Sequence, residues 1–225
     1  MRIVIAGAHG KTARELARLL TAAGNDVAGL IRNADQAADL ELDGTAPVVL
    51  DLENSTVEDV VQVLTGADGA VFAAGAGAGS GAARKDSVDR AAAVLLAEAA
   101  EQAGVARFIQ ISSGGLDAVR DGRRPEGIDE VWYAYLVAKL AAEEDLRARN
   151  QLDWTILRPG ILTDDPATGR VELAASVERE SIPRADVAAV IAELFRSGRG
   201  VRQALGVISG PTPIREAVQA LPAEQ

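Results

Sequence analysis

Short apolar runs alternate with helical patterns along most of this chain. The apolar runs predict β-strands at residues 2–6, 26–31, 47–50, 69–74, 107–112 and 154–158, with a later strand at 204–208. Between them, apolar residues recur at helical spacing in segments 11–20, 56–64, 85–103, 130–149 and 185–196. Strands that are apolar almost throughout are expected where helices cover both faces of a parallel sheet. The alternation therefore predicts an α/β fold with a doubly wound parallel sheet.

Length and composition favour one globular domain. The chain has 225 residues, of which 48% are hydrophobic, and this is enough for a large core. We expect a single domain over residues 1–225, in which the residues after about 160 contribute a small lobe on the substrate side. The absence of cysteine excludes disulfides and thiolate chemistry, and no cluster of ligands suggests a metal.

Charge and hydropathy limit the partners. The formal net charge of −10 disfavours broad nucleic-acid binding. No apolar run is long enough to cross a bilayer, and the first residues lack the basic and then apolar pattern of a secretion signal. We therefore expect a cytoplasmic protein that binds a small molecule rather than nucleic acid or a membrane. The sequence leaves the oligomeric state open.

A glycine turn joins the first predicted strand to the first predicted helix. In Gly7-Ala8-His9-Gly10 the backbone could approach a pyrophosphate closely, and the helix start would present free N–H groups to it. Ala13 stands where a third glycine is usual, which is a mild change in a position used for packing. The alternative is an ordinary turn, because glycines also mark such turns. The motif favours a dinucleotide site, with His9, the only histidine, beside the cofactor.

The end of the second strand indicates which dinucleotide is preferred. An acidic residue there binds the ribose 2′-OH of NAD, whereas an arginine suits the 2′-phosphate of NADP. This chain has Arg32 at that position, and Lys11 could add a second positive charge nearby. The alternative is a solvated arginine without a ligand. We therefore predict NADP, with NAD the less favoured cofactor.

A glycine-rich segment, residues 75–81, follows the fourth strand at the edge where ligands bind in such sheets. Its small side chains would let a cofactor pass close to the backbone. The alternative is a flexible loop of the usual glycine and serine kind. Both interpretations hold if Ala73, Ala74 and Gly75 form the floor of the cofactor site and the rest is a mobile edge that orders on binding.

Tyr135 and Lys139 carry the most plausible chemistry in the second half of the chain. They lie four residues apart on a predicted helix and hence on one face of it. A lysine beside a tyrosine stabilises the phenolate and makes the phenol a usable acid or base. The fifth strand ends in Ser112 and Ser113, whose hydroxyls could orient a carbonyl or alcohol oxygen. The alternative is a half-buried aromatic residue next to a solvated lysine, because this spacing also arises by chance.

Together these features resemble the short-chain dehydrogenase/reductase superfamily. The chain is similar to its atypical NAD(P)-binding branch, with NmrA-like and flavin- or biliverdin-reductase-like proteins. The resemblance spans nearly the whole chain, and its segments are IVIAGAHGKTARELARLL, the Arg32 position, VVLDLE, AVFAAGAG, FIQISSGG, YLVAKLAAEEDLRARNQLDWTILRPGIL and IPRADVAAVI. The stretch from YLVAK to RPGIL is the most specific.

The resemblance implies a Rossmann-like cofactor site and a catalytic set. By similarity, the cofactor would contact Gly7, His9, Gly10, Lys11 and Thr12 at the pyrophosphate, Arg32 at the 2′-phosphate, Asp51 and Leu52 at adenine, Ala73, Ala74 and Gly75 along its length, Lys139 at the nicotinamide ribose, and Pro159, Gly160 and Ile161 at the nicotinamide. Ser113, Tyr135 and Lys139 match the catalytic triad of active relatives.

These residues imply an NADP(H)-dependent oxidoreductase for a small carbonyl, quinone or flavin-like acceptor. Tyr135 would give or take the proton, Lys139 would tune it, and Ser113 would polarise the oxygen. A non-catalytic NADP-binding redox sensor is the first alternative. A sugar-nucleotide epimerase is a weaker one, because few residues remain after the sixth strand to hold a nucleotide-sugar.

Outside the site, Arg184 and Asp186 are expected to form a structural ion pair.

Overall fold

A mostly parallel sheet forms the centre of the protein in the computed structural model, which describes residues 1–77 and 79–222. The described strands are β1 (Arg2–Ala6), β2 (Asp26–Ile31), β3 (Ala46–Val49), β4 (Gly69–Phe72), β5 (Arg107–Ile111), β6 (Asp153–Pro159), β7 (Ile161–Thr163), β8 (Arg170–Ala174), β9 (Ser181–Pro183), β10 (Gln203–Ser209) and β11 (Thr212–Pro213). Their order across the sheet is β3-β2-β1-β4-β5-β6-β10-β8-β11, and β7 pairs separately with β9. The strands from β3 to β10 run parallel, whereas β8 is antiparallel to both β10 and β11.

Helices cover both faces of this sheet. They are α1 (Lys11–Ala22), α2 (Ala37–Leu42), α3 (Val57–Leu64), α4 (Ala82–Arg84), α5 (Ala92–Ala103), α6 (Glu130–Ala148), α7 (Arg184–Ser197) and α8 (Ile214–Gln219), with 3₁₀ segments at Ala34–Gln36 and Leu116–Gly122 and a π-helical segment at Lys85–Ala91. Helices α1 and α7 pack on one face, and α3, α5 and α6 on the other. This is the predicted doubly wound α/β fold. None of the helices in the described ranges is long and apolar enough to cross a membrane.

Side chains that alternate along each central strand build two separate cores. In β1, Ile3 and Ile5 pack with α1 and α7, while Val4 and Ala6 pack with α3 and α5. All four side chains are fully buried. Successive side chains of a strand point to opposite faces, so a strand covered on both faces must be apolar throughout. This is why uninterrupted apolar runs located the central strands in the sequence.

The predicted helix at 85–103 consists of two elements. Its first part, Lys85–Ala91, has the wider π-helical turn, and the regular helix α5 begins only at Ala92. The apolar spacing did not predict this, because a π-turn adds only a single residue to an otherwise continuous helix. Such turns are frequent at functional sites. This one carries two buried ionisable side chains, Lys85 and Asp89.

The residues after 160 are divided between the main sheet and smaller additions. Helix α7 packs in the same core as α1, and β10 pairs with β6 as a further parallel strand. The β7–β9 pair has only three residues in each strand. Much of the region after residue 160 therefore completes the main fold, and a small lobe on the substrate side stays a prediction for the remainder.

The expected ion pair between Arg184 and Asp186 is wrong. Arg184 donates from Nη1 to Oδ1 of Asp164 at 2.5 Å. Asp186 is fully buried and accepts from the backbone N–H groups of Thr168 and Gly169, each at 2.9 Å. Residues two apart on a helix do not face each other, which explains why the two side chains find different partners.

Candidate active site at the carboxyl edge of the sheet

Two cavities open side by side at the carboxyl ends of the central strands. β1 is the neighbour of both β2 and β4, so the order of the strands reverses at this point. Ligands of open α/β sheets bind at such a reversal, outside the carboxyl ends of the strands. The first cavity has a volume of about 270 Å³ and the second about 510 Å³. Ala73, Ala74 and Gly75, just after β4, line both cavities and connect them.

The turn between β1 and α1 forms one wall of the first cavity. Gly7 has a φ of +76°, and a Cβ atom there would lie 2.5 Å from the Cα of Ala74, so the position requires glycine. Gly10 is the N-cap of α1, with a φ of −64°, and no side chain caps the helix. Ala13, at the third glycine position, is buried. The uncapped helix start leaves N–H groups available for an anion, which fits the pyrophosphate of a dinucleotide.

Arg32 follows directly after β2 and lines the first cavity. It is exposed, and it forms no hydrogen bond or ion pair with any residue in the described part of the chain. Asp51 and Leu52 line the same cavity. The Asp51 carboxylate is engaged in its own turn, where it accepts from the N–H of Glu53 at 3.1 Å and from Nδ2 of Asn54 at 2.7 Å. Arg32 therefore offers a guanidinium with no protein counter-ion at this end.

His9 and Lys11 leave the glycine turn in different directions. His9 lines the first cavity, and its Nε2 lies 2.8 Å from Oδ2 of Asp39. This contact holds the pKa of the Asp39 carboxyl below its usual value. Lys11 instead pairs with Asp164, in the segment after β7, and does not line the cavity that Arg32 lines. The second positive charge expected near Arg32 is thus not supplied by Lys11 in this arrangement.

Tyr135 and Lys139 meet in the second cavity, on one face of α6. The Nζ atom of Lys139 lies 5.9 Å from the centroid of the Tyr135 ring, and the lysine is buried. Nζ also lies 3.2 Å from Oδ1 of Asp89 and donates to the carbonyl oxygen of Ile111 at 3.3 Å. Lys139 is therefore held in place beside the tyrosine rather than solvated.

Asp89 is a site residue that the sequence pattern does not reveal. It is 1% exposed, and its Oδ2 accepts from the backbone N–H of Ala76 at 3.2 Å while Oδ1 faces Lys139. The π-helical segment that carries it has no signature in the apolar spacing. Asp89 thus joins the glycine-rich segment to the buried lysine. Ala78 of that segment lies outside the described residues.

An aromatic surface forms the edge of the second cavity. Trp132 stacks on Tyr135 with ring centroids 5.0 Å apart and an interplanar angle of 25°. Trp132 is 45% exposed, and it lines the cavity together with Val131 and Leu162. Thr12 reaches the same cavity from the first turn of α1. This part of the cavity suits a flat, apolar group more than a strongly hydrated one.

The two serines at the end of β5 differ in their surroundings. Ser112 lines the second cavity, and its Oγ donates to Oε1 of Glu143 at 2.6 Å. Glu143 is fully buried and also accepts from Arg158, and this contact raises the pKa of the guanidinium above its usual value. Ser113 does not line the cavity, and its Oγ donates to the carbonyl oxygen of Gly114 at 3.1 Å. The catalytic role of Ser113 stays a prediction.

Pro159, Gly160 and Ile161 line neither cavity. A Cβ atom at Gly160 would lie 2.0 Å from the carbonyl oxygen of Glu180, so a close approach of two backbone segments requires glycine here. The N–H of Ile161 donates to the same carbonyl at 2.9 Å, and its side chain is 53% exposed. These contacts account for the Pro-Gly sequence through packing, and contact with a nicotinamide stays a prediction.

Comparisons with known proteins agree with this description. The sequence profile of a family described as NAD(P)H-binding matches residues 7–197. The chain is 32% identical to YhfK of Bacillus subtilis, an uncharacterised sugar epimerase by name, over 98% of this chain and 100% of YhfK. A solved structure from Bacillus halodurans, provisionally named an NAD-dependent epimerase/dehydratase, is 35% identical with a TM-score of 0.87, covering 98% of this chain and 100% of that one. ChuY of Escherichia coli O157:H7, an anaerobillin reductase, is 28% identical with a TM-score of 0.77, covering 94% and 100% respectively. The chain therefore belongs to the NAD(P)H-binding family, in the atypical short-chain dehydrogenase/reductase branch that its sequence resembles.

Proposed function

We propose that this protein is an NADP(H)-dependent oxidoreductase for a small carbonyl, quinone or flavin-like acceptor. One observation carries the proposal. The first cavity, which contains the glycine turn, and the second cavity, which contains Tyr135 and Lys139, are both lined by Ala73, Ala74 and Gly75. A dinucleotide bound along the first cavity could therefore extend its nicotinamide toward the tyrosine. The name of ChuY, a reductase of similar fold, supports the same class of reaction.

In this proposal the chain supplies binding, orientation and a proton. When bound, the nicotinamide would supply or accept the hydride. Tyr135 would donate a proton to the acceptor oxygen during reduction, and Lys139 would favour the phenolate that remains. Ser113 would polarise the acceptor oxygen. Among the residues that the structure describes, its hydroxyl donates to the carbonyl of the next residue alone, so it is easier to redirect than the hydroxyl of Ser112, which is bound to a buried carboxylate.

A screen of NADPH oxidation tests this function directly. Quinones, flavins and aldehydes would be offered with the purified protein, and absorbance of NADPH would be followed. Turnover of at least one class supports the proposal. Tight NADPH binding without turnover of any acceptor would instead favour a redox sensor that responds to the NADP state.

Arg32→Ala should weaken NADPH binding selectively. Removal of a charge-assisted contact costs about 1.5–3 kcal/mol, so NADPH affinity should fall roughly 10- to 150-fold. NADH lacks the 2′-phosphate, so its affinity should change little and serves as the internal control. Titration calorimetry on both proteins measures the two effects. Equal affinity of the unmodified protein for NADPH and NADH would contradict the assignment of Arg32 to the 2′-phosphate.

A sugar-nucleotide epimerase is the second candidate, because two similar proteins carry epimerase names. The additions outside the main sheet are small, and the β7–β9 pair has three residues in each strand. They provide little surface for a nucleotide-sugar. An epimerase would interconvert UDP-sugars without net consumption of a dinucleotide, so chromatography of UDP-sugar mixtures distinguishes this reaction from reduction.

A further inference from the structure

Lys85 is a buried lysine without a carboxylate partner. Its side chain belongs to the π-helical segment, and the residue is 9% exposed. Within residues 1–77 and 79–222 no acidic oxygen lies within 4.0 Å of its Nζ. Buried charges in proteins are usually paired, because desolvation of an unpaired charge is costly. The neighbouring Arg84 differs from Lys85 in this respect, since it is only half-buried and pairs with Glu53 at 2.8 Å.

The surroundings of Lys85 leave part of its ammonium group free. Nζ donates to the carbonyl oxygen of Gly77 at 2.9 Å, and in the described part of the chain this is its only acceptor. A lysine has three N–H donors, so two are left without an acceptor among residues 1–77 and 79–222. Nζ also lies 5.5 Å from the centroid of the Tyr135 ring. Lys85 lines the second cavity and not the first.

We propose that Lys85 is the counter-ion for an anionic group carried directly on a flat aromatic acceptor in the second cavity. The stacked rings of Trp132 and Tyr135 provide the surface for the aromatic ring. The ammonium lies 5.5 Å from the centroid of the Tyr135 ring and has N–H donors without an acceptor among the described residues, so it can bind a carboxylate or a phenolate oxygen at the edge of the ligand. Lys139 cannot serve this purpose, because Asp89 already neutralises it.

This inference deepens the proposed function and rests on it in placing the acceptor in the second cavity and in filling the cofactor site with NADP⁺. Binding can be measured without turnover, so the two can fail separately. The probes are 2-naphthoate and 2-naphthamide, which have the same ring and nearly the same shape but differ in charge. Neither is reducible by NADPH under mild conditions. Calorimetry with the full chain and saturating NADP⁺ gives both affinities.

We expect 2-naphthoate to bind more tightly than 2-naphthamide. Lys85→Gln should weaken 2-naphthoate binding by roughly 10-fold or more, the scale of a lost charged hydrogen bond, and leave 2-naphthamide within about twofold. Lys85→Arg should restore most of the loss. The control is Arg90→Gln, which removes the same charge from the same π-helical segment. In the unmodified protein Arg90 pairs with the exposed Asp86 at 2.5 Å.

Three results would overturn the proposal. The first is equal binding of the two probes to the unmodified protein, and the second is absence of 2-naphthoate binding at millimolar concentration. The third is an equal loss of affinity for both probes in Lys85→Gln. This result would show that the lysine only positions the glycine-rich segment through its hydrogen bond to Gly77. Unchanged NADP⁺ affinity in each variant verifies that the fold is intact. Lysine-dependent naphthoate binding in a protein without reductase activity would contradict the proposed function alone.

Discussion

Replacement of Tyr135 by phenylalanine should lower turnover by about 10²- to 10⁴-fold, the usual contribution of a general acid. The substitution removes only the phenolic hydroxyl, so the ring stays available to stack on Trp132. NADPH affinity should be nearly unchanged. Stopped-flow measurement of NADPH oxidation with the best acceptor, together with NADPH titration, separates the two effects.

The other tyrosine of the chain provides the matched control. Tyr133 is on the same helix but does not line the second cavity, and the guanidinium of Arg124 lies 4.7 Å from its ring centroid. Tyr133→Phe should therefore keep full turnover. Lys139→Ala should reduce both turnover and NADPH affinity, because this lysine is expected to contact the ribose as well as the tyrosine. Full activity in Tyr135→Phe would mean direct hydride transfer to an acceptor that needs no protein acid.

Gly10→Val should abolish dinucleotide binding and leave the fold intact. Gly10 has an ordinary φ of −64°, and the nearest protein atom to an added Cβ is the carbonyl oxygen of Gly7 at 3.2 Å. A Cβ atom at this position therefore requires a shift of only a few tenths of an ångström from its nearest neighbour. The same side chain would stand over the start of α1, where we expect the pyrophosphate to bind. Circular dichroism reports the fold, and calorimetry with NADPH reports binding.

Two other glycines show why Gly10 is the informative choice. Gly7→Val would strain the turn itself, because of the positive φ and the contact with Ala74, and loss of binding would then mean little. Gly81 is also a helix N-cap, lines neither cavity, and has a φ of −73° with no atom of the described residues within 4 Å of an added Cβ. Gly81→Val is therefore the control and should bind NADPH normally. If Gly10→Val also binds NADPH with native affinity, the glycine turn has only a structural role.

The parts of the fold that were predicted from the sequence are those that local periodicity determines. A strand covered on both faces has no polar position, as Ile3, Val4 and Ile5 show, so its apolar run is visible in the sequence. The glycine turn is also visible in the sequence, because its backbone geometry depends on the glycines within the turn itself. The residues after 160 were harder to place, because α7 and β10 complete the sheet through contacts with distant segments.

The parts of the site that were missed depend on contacts between distant residues. Asp89 reaches Lys139 across fifty residues of sequence, and no spacing rule connects them. The hydrogen bond between Ser112 and Glu143 was missed for the same reason, because it joins residues that are distant in sequence. The expected Arg184–Asp186 pair is wrong because residues two apart on a helix do not face each other, and each side chain meets a partner from another segment. The direction in which a charged side chain leaves the backbone determines which partner it meets. That direction is known only once the fold is known.

The glycine-rich segment is tied at two points, by Asp89 at the N–H of Ala76 and by Lys85 at the carbonyl of Gly77. Asp89 also holds Lys139, the residue expected to contact the nicotinamide ribose. Lys139 has three N–H donors, of which Asp89 and the carbonyl of Ile111 engage two, so the third is directed to no acceptor in the described part of the chain and is available to the ribose. A single carboxylate thus fixes both this lysine and the segment that borders the second cavity, so an Asp89 variant would disturb cofactor contact and acceptor contact together.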